Sequence, residues 1–146
     1  MNNGNIVIER LFAVSPEKVW SAISDKDEMK AWYFNLAEFK AEPGFSFGFS
    51  GGPDGGIQYL HLCEVTEAIP QKQLTYSWRY DGYPGISFVS FELSEQEGKT
   101  LLRLTHSGIG SFPETNPDLA INNFKEGWNA IINTSLKDYL EKKYPQ

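Results

Sequence analysis

Two histidines are the residues of this sequence best suited to proton transfer or metal binding, because an imidazole changes its charge near neutral pH. His106 follows Leu102 and Leu104 at a spacing of two, so all three should face the same side of a β-sheet. If that side faces a pocket, His106 would orient a ligand or move a proton at the pocket mouth. The alternative is a structural histidine that is bonded to the backbone of the following loop.

His61 alternates with Tyr59 and Cys63 in a second strand-like segment. A catalytic zinc site usually needs three protein ligands, and the sequence has neither a histidine-rich segment nor the His-Glu-x-x-His spacing. We therefore expect no metal and no cofactor. Cys63 lies among apolar residues, which favours a buried and inert thiol over a nucleophile.

Carboxylates are the second group with catalytic potential. An inward-facing pair would support acid–base chemistry, but alternation along a strand sends about half of the strand carboxylates to solvent. Arg10 has the parity to reach an inward carboxylate, although a solvated pair is favoured. No Gly-x-Ser-x-Gly motif is present, and the glycine-rich segment 51–56 lacks the Lys-Ser/Thr pair of a phosphate-binding loop. That segment is expected to be a hairpin turn rather than a cavity gate, and no catalytic residue is predicted. The strand carboxylates are Glu9, Glu38, Glu42, Glu64, Glu67 and Glu92.

Aromatic residues make up 14% of the chain, and their positions give the strongest functional signal. They come from a short helix, three strands and the last helix, which are elements that would surround a cavity. Trp and Tyr bury a ring and keep a polar group at its tip, which suits an amphipathic ligand. The alternative is a core that these rings fill completely. Together with His61 and His106, the residues expected to bind a ligand are Trp32, Phe45, Phe47, Tyr59, Trp78 and Trp128.

A long amphipathic helix is predicted over residues 116–143, where apolar side chains recur at helical spacing from Phe124 to Leu140. Its apolar face needs a surface to pack against. Gly127 costs about 1 kcal/mol relative to Ala in a helix interior. We expect it to permit a close approach to that surface, with helix flexibility as the alternative. Trp128 should then enter the space between helix and sheet, where it either covers or fills a pocket.

The segments before this helix predict a first strand, two short helices and six further strands. Ser15 and Pro16 are residue types preferred at a helix start, and Asp25 can cap a second helix that runs to about Trp32. Because a twisted antiparallel sheet of this size curls, the prediction is an α+β helix-grip fold. It consists of a curved seven-stranded antiparallel sheet wrapped around the long C-terminal helix, with two short helices after the first strand. The predicted strands span residues 6–13, 37–42, 45–49, 57–67, 74–80, 87–93 and 100–106.

Composition narrows the range of partners. A net charge of −6 and a pI near 4.9 disfavour binding to nucleic acid or to an anionic membrane. The single cysteine cannot form an intrachain disulfide, and no secretion signal or membrane-spanning run is visible. We therefore expect a cytoplasmic protein with one domain over residues 1–146 and no membrane insertion. An exposed edge strand permits dimerisation without requiring it, so a monomer and a homodimer are both compatible with the sequence.

Several short motifs follow one another in the order typical of one superfamily. With them the chain resembles the SRPBCC (START-like, birch-allergen-like) superfamily, and in particular the activator of heat-shock-protein-90 ATPase homologue family. The resemblance covers almost the whole chain and implies a single START-like helix-grip domain with an internal hydrophobic cavity. The motifs are Ser15-Pro16-Glu17-Lys18-Val19-Trp20 with Asp25 and Trp32-Tyr33, Pro43-Gly44 before a Phe-rich strand, Glu64-Val65 to Pro70, Leu74-Thr75-Tyr76-Ser77-Trp78, Leu102-Arg103-Leu104-Thr105-His106-Ser107-Gly108 and Gly127-Trp128.

The resemblance does not imply one activity, since the superfamily includes ligand carriers, cyclases, hydrolases and a co-chaperone domain. The favoured function is non-catalytic binding of a small hydrophobic or amphipathic molecule between helix and sheet. The first alternative is a co-chaperone-like domain that acts on a heat-shock-protein-90-type chaperone in a stress response. The eukaryotic co-chaperone also carries a separate N-terminal domain, which argues against transferring its activity directly. The second alternative is a cyclase or hydrolase that uses His106 or a buried carboxylate.

Overall fold

The computed structural model describes residues 5–33, 36, 38–52, 55–113 and 115–144. A first strand is followed by two short helices, five more strands and a long helix. None of the helices in these ranges is long and apolar enough to cross a membrane. The elements are β1 Ile6–Phe12, α1 Pro16–Ser24, α2 Lys26–Trp32, β2 Ser46–Gly51, β3 Tyr59–Ile69, β4 Gln73–Tyr80, β5 Ser87–Gln96, β6 Lys99–Ser107, α3 Ile121–Ala130 and α4 Lys137–Lys143.

The described strands form one antiparallel sheet of six strands in the order β1-β6-β5-β4-β3-β2. Successive strands from β2 to β6 are hydrogen-bonded neighbours, and β1 returns to pair with β6, with Ile6 opposite His106. The register of β3 against β4 shifts between Val65 and Glu67. Such a β-bulge bends its strand and increases the local twist, which helps to curve the sheet around the long helix.

The prediction of seven strands is wrong, because the described residues form six and residues 38–42 do not pair with a neighbouring strand. Ala37 lies outside the described residues, and residues 38–41 have no strand structure. The backbone turns there, with the Glu42 amide donating to the Lys40 carbonyl at 2.9 Å. The chain meets β3 only from Gly44, whose amide donates to the Val65 carbonyl at 2.7 Å. Alternating apolar residues produced the strand prediction, but a tight turn breaks the extended backbone that a ladder requires.

Helices α1 and α2 begin where their capping residues predict. Pro16 occupies the first turn of α1, and the Ser15 carbonyl accepts the amides of Lys18 and Val19, although the Ser15 side chain makes no cap bond. The Asp25 side chain accepts from the Asp27 amide at 2.9 Å and caps α2. Both helices bury their apolar side chains against the sheet and the long helix.

A carboxylate ties α2 to the end of the chain's last helix. Glu28 accepts hydrogen bonds from Ser21, from Tyr139 at 2.7 Å and from Lys143 at 3.1 Å. Burial raises the pKa of Glu28, but these hydrogen bonds and the Lys143 charge outweigh burial and lower the pKa. The interaction holds the charged form of Glu28 and fixes α4 over the two short helices.

The C-terminal helix runs over residues 121–143, later than predicted, because a 3-10 turn at Pro117–Leu119 precedes it. Its middle, Ile131–Leu136, is π-helical. Within that stretch, Asn133 accepts a hydrogen bond from Arg10 of β1 at 3.0 Å. The buried face of the helix packs on the inner face of the sheet through Phe124, Trp128, Ile132, Leu136 and Leu140.

Candidate functional site

A cavity of about 290 Å³ lies between the C-terminal helix and the inner face of the sheet. It sits where β2 ends and β3 begins, under the turn Pro117–Leu119 and the first half of the helix. Its volume is close to the lower limit of about 300 Å³ for small-molecule sites. It is lined by Gly51, Gly52, Tyr59, His61, Trp78, Tyr80, Asp118, Leu119, Asn123, Phe124, Gly127, Trp128 and Ile131.

Two larger concavities, of about 460 and 480 Å³, lie between β1 and α4 and on strands β2 to β4. Neither brings together more than two aromatic rings from the described residues, whereas five line the cavity under the helix. Both also include paired or opposite charges at the surface, among them Arg10 with Glu141 and Glu64 with Arg79. The cavity under the helix is therefore the candidate site.

Strand alternation determines which side chains of the sheet face the cavity. Tyr59 and His61 begin β3, Trp78 and Tyr80 end β4, and the register sets His61 opposite Tyr80. Because residues two apart share a face, all four rings project towards the helix. The His61 ring lies 5.0 Å from Trp78 and 4.8 Å from Tyr80, between ring centroids.

The His61 imidazole is neutral at physiological pH. Its Nδ1 lies 3.0 Å from the Tyr59 carbonyl and 3.2 Å from the Phe49 carbonyl, so Nδ1 carries the proton and donates. Burial lowers the pKa of His61 to about 4, although these two carbonyls act in the opposite direction. His61 therefore contributes a flat, uncharged ring to the cavity wall, and it stacks on Phe49 at 4.4 Å.

The helix side of the cavity is formed by one face of α3 and the start of the π-helical turn. Asn123, Gly127 and Ile131 recur at intervals of four residues, with Phe124 and Trp128 beside them. The predicted close approach of Gly127 to the sheet is wrong, since a Cβ at this position would meet no atom within 4 Å. Gly127 instead lines the solvent-exposed side of the cavity, where the space beside its Cα is open.

His106 is fully buried and is not among the residues that line the cavity, so it does not lie at the pocket mouth. It fits the alternative of a structural histidine, although its partners are side chains and not the backbone of the following loop. The Trp128 indole N–H donates to His106 Nδ1 at 2.9 Å. An indole nitrogen can only donate, so the His106 proton is on Nε2 and is donated to Ser87 Oγ at 2.8 Å. Ser87 in turn donates to the Trp78 carbonyl at 2.9 Å.

This chain of hydrogen bonds uses both nitrogens of His106. Burial lowers the pKa of His106 to about 3, so the imidazole stays neutral. A general acid or base must reach the reacting atom with a nitrogen that can exchange a proton. The geometry therefore assigns His106 the task of holding Trp128 and Trp78 in position.

A small polar cluster forms the rim of the cavity at the turn before the helix. Tyr59 donates to the Asp118 carboxylate at 2.8 Å, and Asn116 donates to the Tyr59 hydroxyl at 3.2 Å. The Asn116 bond lowers the pKa of Tyr59, but burial and the Asp118 carboxylate together outweigh it and raise the pKa. Tyr59 thus remains an uncharged phenol that is anchored to the turn.

Three other residues expected at the site lie elsewhere in the core. Trp32 donates through its indole to the Ala22 carbonyl at 2.9 Å, which holds it against α1. Phe47 packs edge-on against Tyr76 and Phe39, and the half-buried Phe45 packs against Phe39 as well. Four of the eight predicted residues therefore line the cavity, namely Tyr59, His61, Trp78 and Trp128.

Other candidate chemical groups are not gathered at this site. In the described ranges, the buried polar and charged residues include no carboxylate, and Glu9 forms an exposed pair with Arg103 at 2.7 Å. No group of three or more His, Cys, Asp or Glu side chains among the described residues is arranged to hold a metal ion. Burial raises the pKa of the Cys63 thiol to about 12, which makes it a poor nucleophile.

Comparisons with known proteins give a consistent picture. The family model for Activator of Hsp90 ATPase homolog 1-like protein matches residues 13–141. The human activator of 90 kDa heat shock protein ATPase homolog 1 is 24% identical over 134 residues, which is 90% of this chain and 36% of the human protein. The chain thus spans about a third of the length of that relative.

Solved structures resemble the whole described fold. A crystal structure of a Mesorhizobium loti protein is 28% identical, with a TM-score of 0.75 over 94% of this chain and 97% of that one. The solution structure of the Aha1 dimer from Colwellia psychrerythraea is 27% identical, with a TM-score of 0.69 over 94% of this chain and 96% of that one.

Proposed function

The chain belongs to the activator of Hsp90 ATPase homolog 1-like family, and we propose that it uses this fold to bind a small hydrophobic or amphipathic molecule without catalysing a reaction. The ligand lies in the cavity between the C-terminal helix and the sheet. The observation that carries the proposal is the cavity wall, in which five aromatic rings and His61 surround about 290 Å³. Aromatic faces give a large apolar contact area at a low cost in side-chain entropy.

The rings are held in place without a ligand. Trp128 is fixed by His106, and the Trp78 indole donates to the Tyr80 hydroxyl at 2.8 Å. A site whose side chains are already ordered loses little entropy when a ligand enters, and this preorganisation favours binding. Both indole N–H groups are therefore satisfied within the protein, and a ligand needs only apolar contact with these rings.

Gly127 adds a second argument for an open cavity. Its absent side chain leaves space rather than permitting a close contact, and Ala would be favoured at the same position by about 1 kcal/mol. Gly127 lines the cavity between Asn123 and Ile131, so a larger residue there reduces the open space at the cavity entrance. The glycine is thus explained by the volume that it leaves for a ligand.

A probe titration tests this proposal directly. N-phenyl-1-naphthylamine, an uncharged probe that fluoresces in apolar surroundings, should bind with one-to-one saturation and be displaced by members of a panel of lipids, flavonoids and sterols. Gly127→Leu should abolish probe binding while the protein stays folded, because Leu is a good helix former. Ala130→Leu, which adds a similar side chain at an exposed position of the same helix that does not line the cavity, should bind the probe normally. Probe binding unaffected by Gly127→Leu, or no binding by the wild type, contradicts the proposal.

A co-chaperone-like interaction in the cytoplasm is the second candidate, and the family match favours it. The human relative is named for activating a 90 kDa heat shock protein ATPase. On the outer face of the sheet, Val7, Leu11 and Phe88 are exposed apolar side chains that a protein partner can cover. Phe88→Ser should then reduce stimulation of the ATPase of a heat-shock-protein-90-type chaperone, and should leave probe binding unchanged. An ATPase rate that the wild-type protein does not alter excludes this candidate.

The edges of the sheet are a separate surface that is compatible with self-association. Strands β1 and β2 are the edges of the sheet, and the relative from Colwellia psychrerythraea forms a dimer. Light scattering on a size-exclusion column distinguishes a monomer from a homodimer, and comparison of wild type with Phe88→Ser shows whether the outer face takes part.

A further inference from the structure

The charge inside the candidate site limits which ligands it can accept. Asp118 is the one Asp, Glu, Lys or Arg among the described residues that line the cavity. His61 is buried and is neutral there, because burial lowers the pKa of its imidazole to about 4. A ligand in this cavity therefore meets one negative charge and no positive one.

The Asp118 carboxylate is held in a fixed position by its neighbours. Tyr59 donates to Oδ2 at 2.8 Å, and the Asp118 amide donates to the Asn116 side chain at 3.0 Å. Asn123 donates to the Asp118 carbonyl at 2.8 Å, which joins the turn to the helix. Within the described residues, no donor reaches the second carboxylate oxygen, so Asp118 retains the capacity to accept a hydrogen bond from a ligand.

The donors of the cavity wall do not compensate an anion. The indole N–H groups of Trp78 and Trp128 are bonded to Tyr80 and His106. The Tyr80 hydroxyl can still donate to a ligand oxygen, but an uncharged donor does not neutralise a carboxylate that has left water. An anionic ligand would also be repelled by Asp118.

The same wall suits a cation. Aromatic faces attract an ammonium group within about 6 Å of the ring centre, most strongly when the site is desolvated. Tyr59 lies at the rim beside Asp118, while Trp78, Tyr80, Phe124 and Trp128 surround the interior. The combination of ring faces with one fixed carboxylate provides both the apolar contact and the counter-charge that an aromatic amine requires.

We propose that the ligand of this cavity is an aromatic molecule that carries an amine or another positively charged donor group, which it directs at Asp118. This inference rests on the proposed function and specifies its ligand. An uncharged aromatic alcohol binds in the same place more weakly, and the anion of equal size is rejected.

Three naphthyl probes that carry a positive, a neutral or a negative group at the same ring position test the charge preference by calorimetry. They are 2-naphthylmethylamine in its protonated form, 2-naphthylmethanol and 2-naphthoate. The wild-type protein should bind the amine at least about tenfold more tightly than the naphthoate, because the interaction with Asp118 changes sign with the charge of the ligand. The preference should decrease as salt is added.

Asp118→Asn keeps an oxygen that can accept from Tyr59 but removes the charge. It should eliminate the preference for the amine over the alcohol, while the affinity for the alcohol changes by less than about twofold. Asp138→Asn is the matched control, since Asp138 is exposed on α4 and its loss changes the net charge equally. That variant should retain the wild-type preference.

The outcomes separate this inference from the function on which it rests. Equal binding of the three probes, tighter binding of the naphthoate, or an undiminished amine preference in Asp118→Asn overturns the charge preference and leaves ligand binding intact. Binding of N-phenyl-1-naphthylamine with no binding of any of the three probes also overturns it. If neither that probe nor these three bind, the proposed function itself is wrong and the inference falls with it.

Discussion

Acidification from pH 7 to pH 5 should destabilise the fold, because both histidines of the sequence are buried. Burial lowers the pKa of His61 to about 4 and that of His106 to about 3, whereas an unfolded chain has a histidine pKa of about 6.5. Below about pH 6.5 the unfolded state binds two protons that the folded state does not bind. Stability is therefore fully present above that pH and decreases as the pH falls towards the folded-state values.

The size of the effect follows from the pKa difference. At pH 5 each unfolded histidine lies about 1.5 pH units below its pKa, which corresponds to about 2 kcal/mol at 1.36 kcal/mol per unit. Two histidines together give a loss of about 4 kcal/mol, a large part of the 5–15 kcal/mol that stabilises a typical domain. Most carboxylates titrate below pH 5, so this window reports mainly on the histidines.

Urea unfolding followed by circular dichroism at pH 7 and pH 5 measures this loss. His106→Asn should already be less stable at pH 7, by about 1–3 kcal/mol, because it disrupts the buried hydrogen bonds to Trp128 and Ser87. Its further loss between pH 7 and pH 5 should nevertheless fall to about 2 kcal/mol, since one titrating group is gone. His61→Asn should show the same halving. A wild-type loss below about 1 kcal/mol, or a loss that neither substitution reduces, would refute the view that both imidazoles are held neutral.

Three further predictions concern single positions. Gly127→Ala should raise the free energy of unfolding by about 0.5–1 kcal/mol, because the helix gains a better former without a clash, whereas Gly98→Ala should lower it by a similar amount since Gly98 has a φ of 81° with equally open space. Urea unfolding of the two variants measures both changes. If the two substitutions change the free energy of unfolding in the same direction, backbone conformation does not explain the difference between the two glycines. Glu28→Gln should cost about 1–2 kcal/mol at pH 7 by weakening the bond to Lys143, and the difference from wild type should close as the pH falls through the lowered pKa of Glu28. Gly85→Ala should cost at least about 2 kcal/mol in the same assay, because Gly85 has a φ of 107° and a Cβ would lie 2.5 Å from a backbone carbonyl; a smaller loss would mean that this loop moves easily.

Local patterns predicted the elements that carry their own signals. Proline and a capping aspartate set the starts of α1 and α2, and alternation identified β3 to β6 to within about three residues. The segment 37–42 failed because alternation reports which side a residue faces, not whether a partner strand lies alongside. Phe39 is buried as an inward strand residue would be, yet it packs from a turn.

Strand alternation also predicted part of the candidate site. Alternation correctly indicated that Tyr59 and Trp78 face the helix, and Tyr80 carried the same signal two residues further on. It could not tell how far along the sheet a residue lies, so Phe47 was expected at the cavity but packs beside Tyr76 instead. Asp118 lies in a 3-10 turn, where no sequence periodicity indicates which way a residue faces. Its position at the rim depends on a hydrogen bond from Tyr59, a residue distant in sequence that comes close to Asp118 only in the folded chain.

Trp128 shows why the cavity is better explained as a site than as a packing defect. Its indole nitrogen completes the core through His106, while its ring remains a wall of the open space. One helical position earlier, Gly127 leaves that space unfilled although a methyl group would fit there and favour the helix. A fold selected for stability alone would carry Ala at this exposed helix position, because Ala is the better helix former. If Gly127→Ala is more stable than wild type and Gly127→Leu folds but no longer binds a probe, the volume has been kept at the expense of stability, as expected of a binding site.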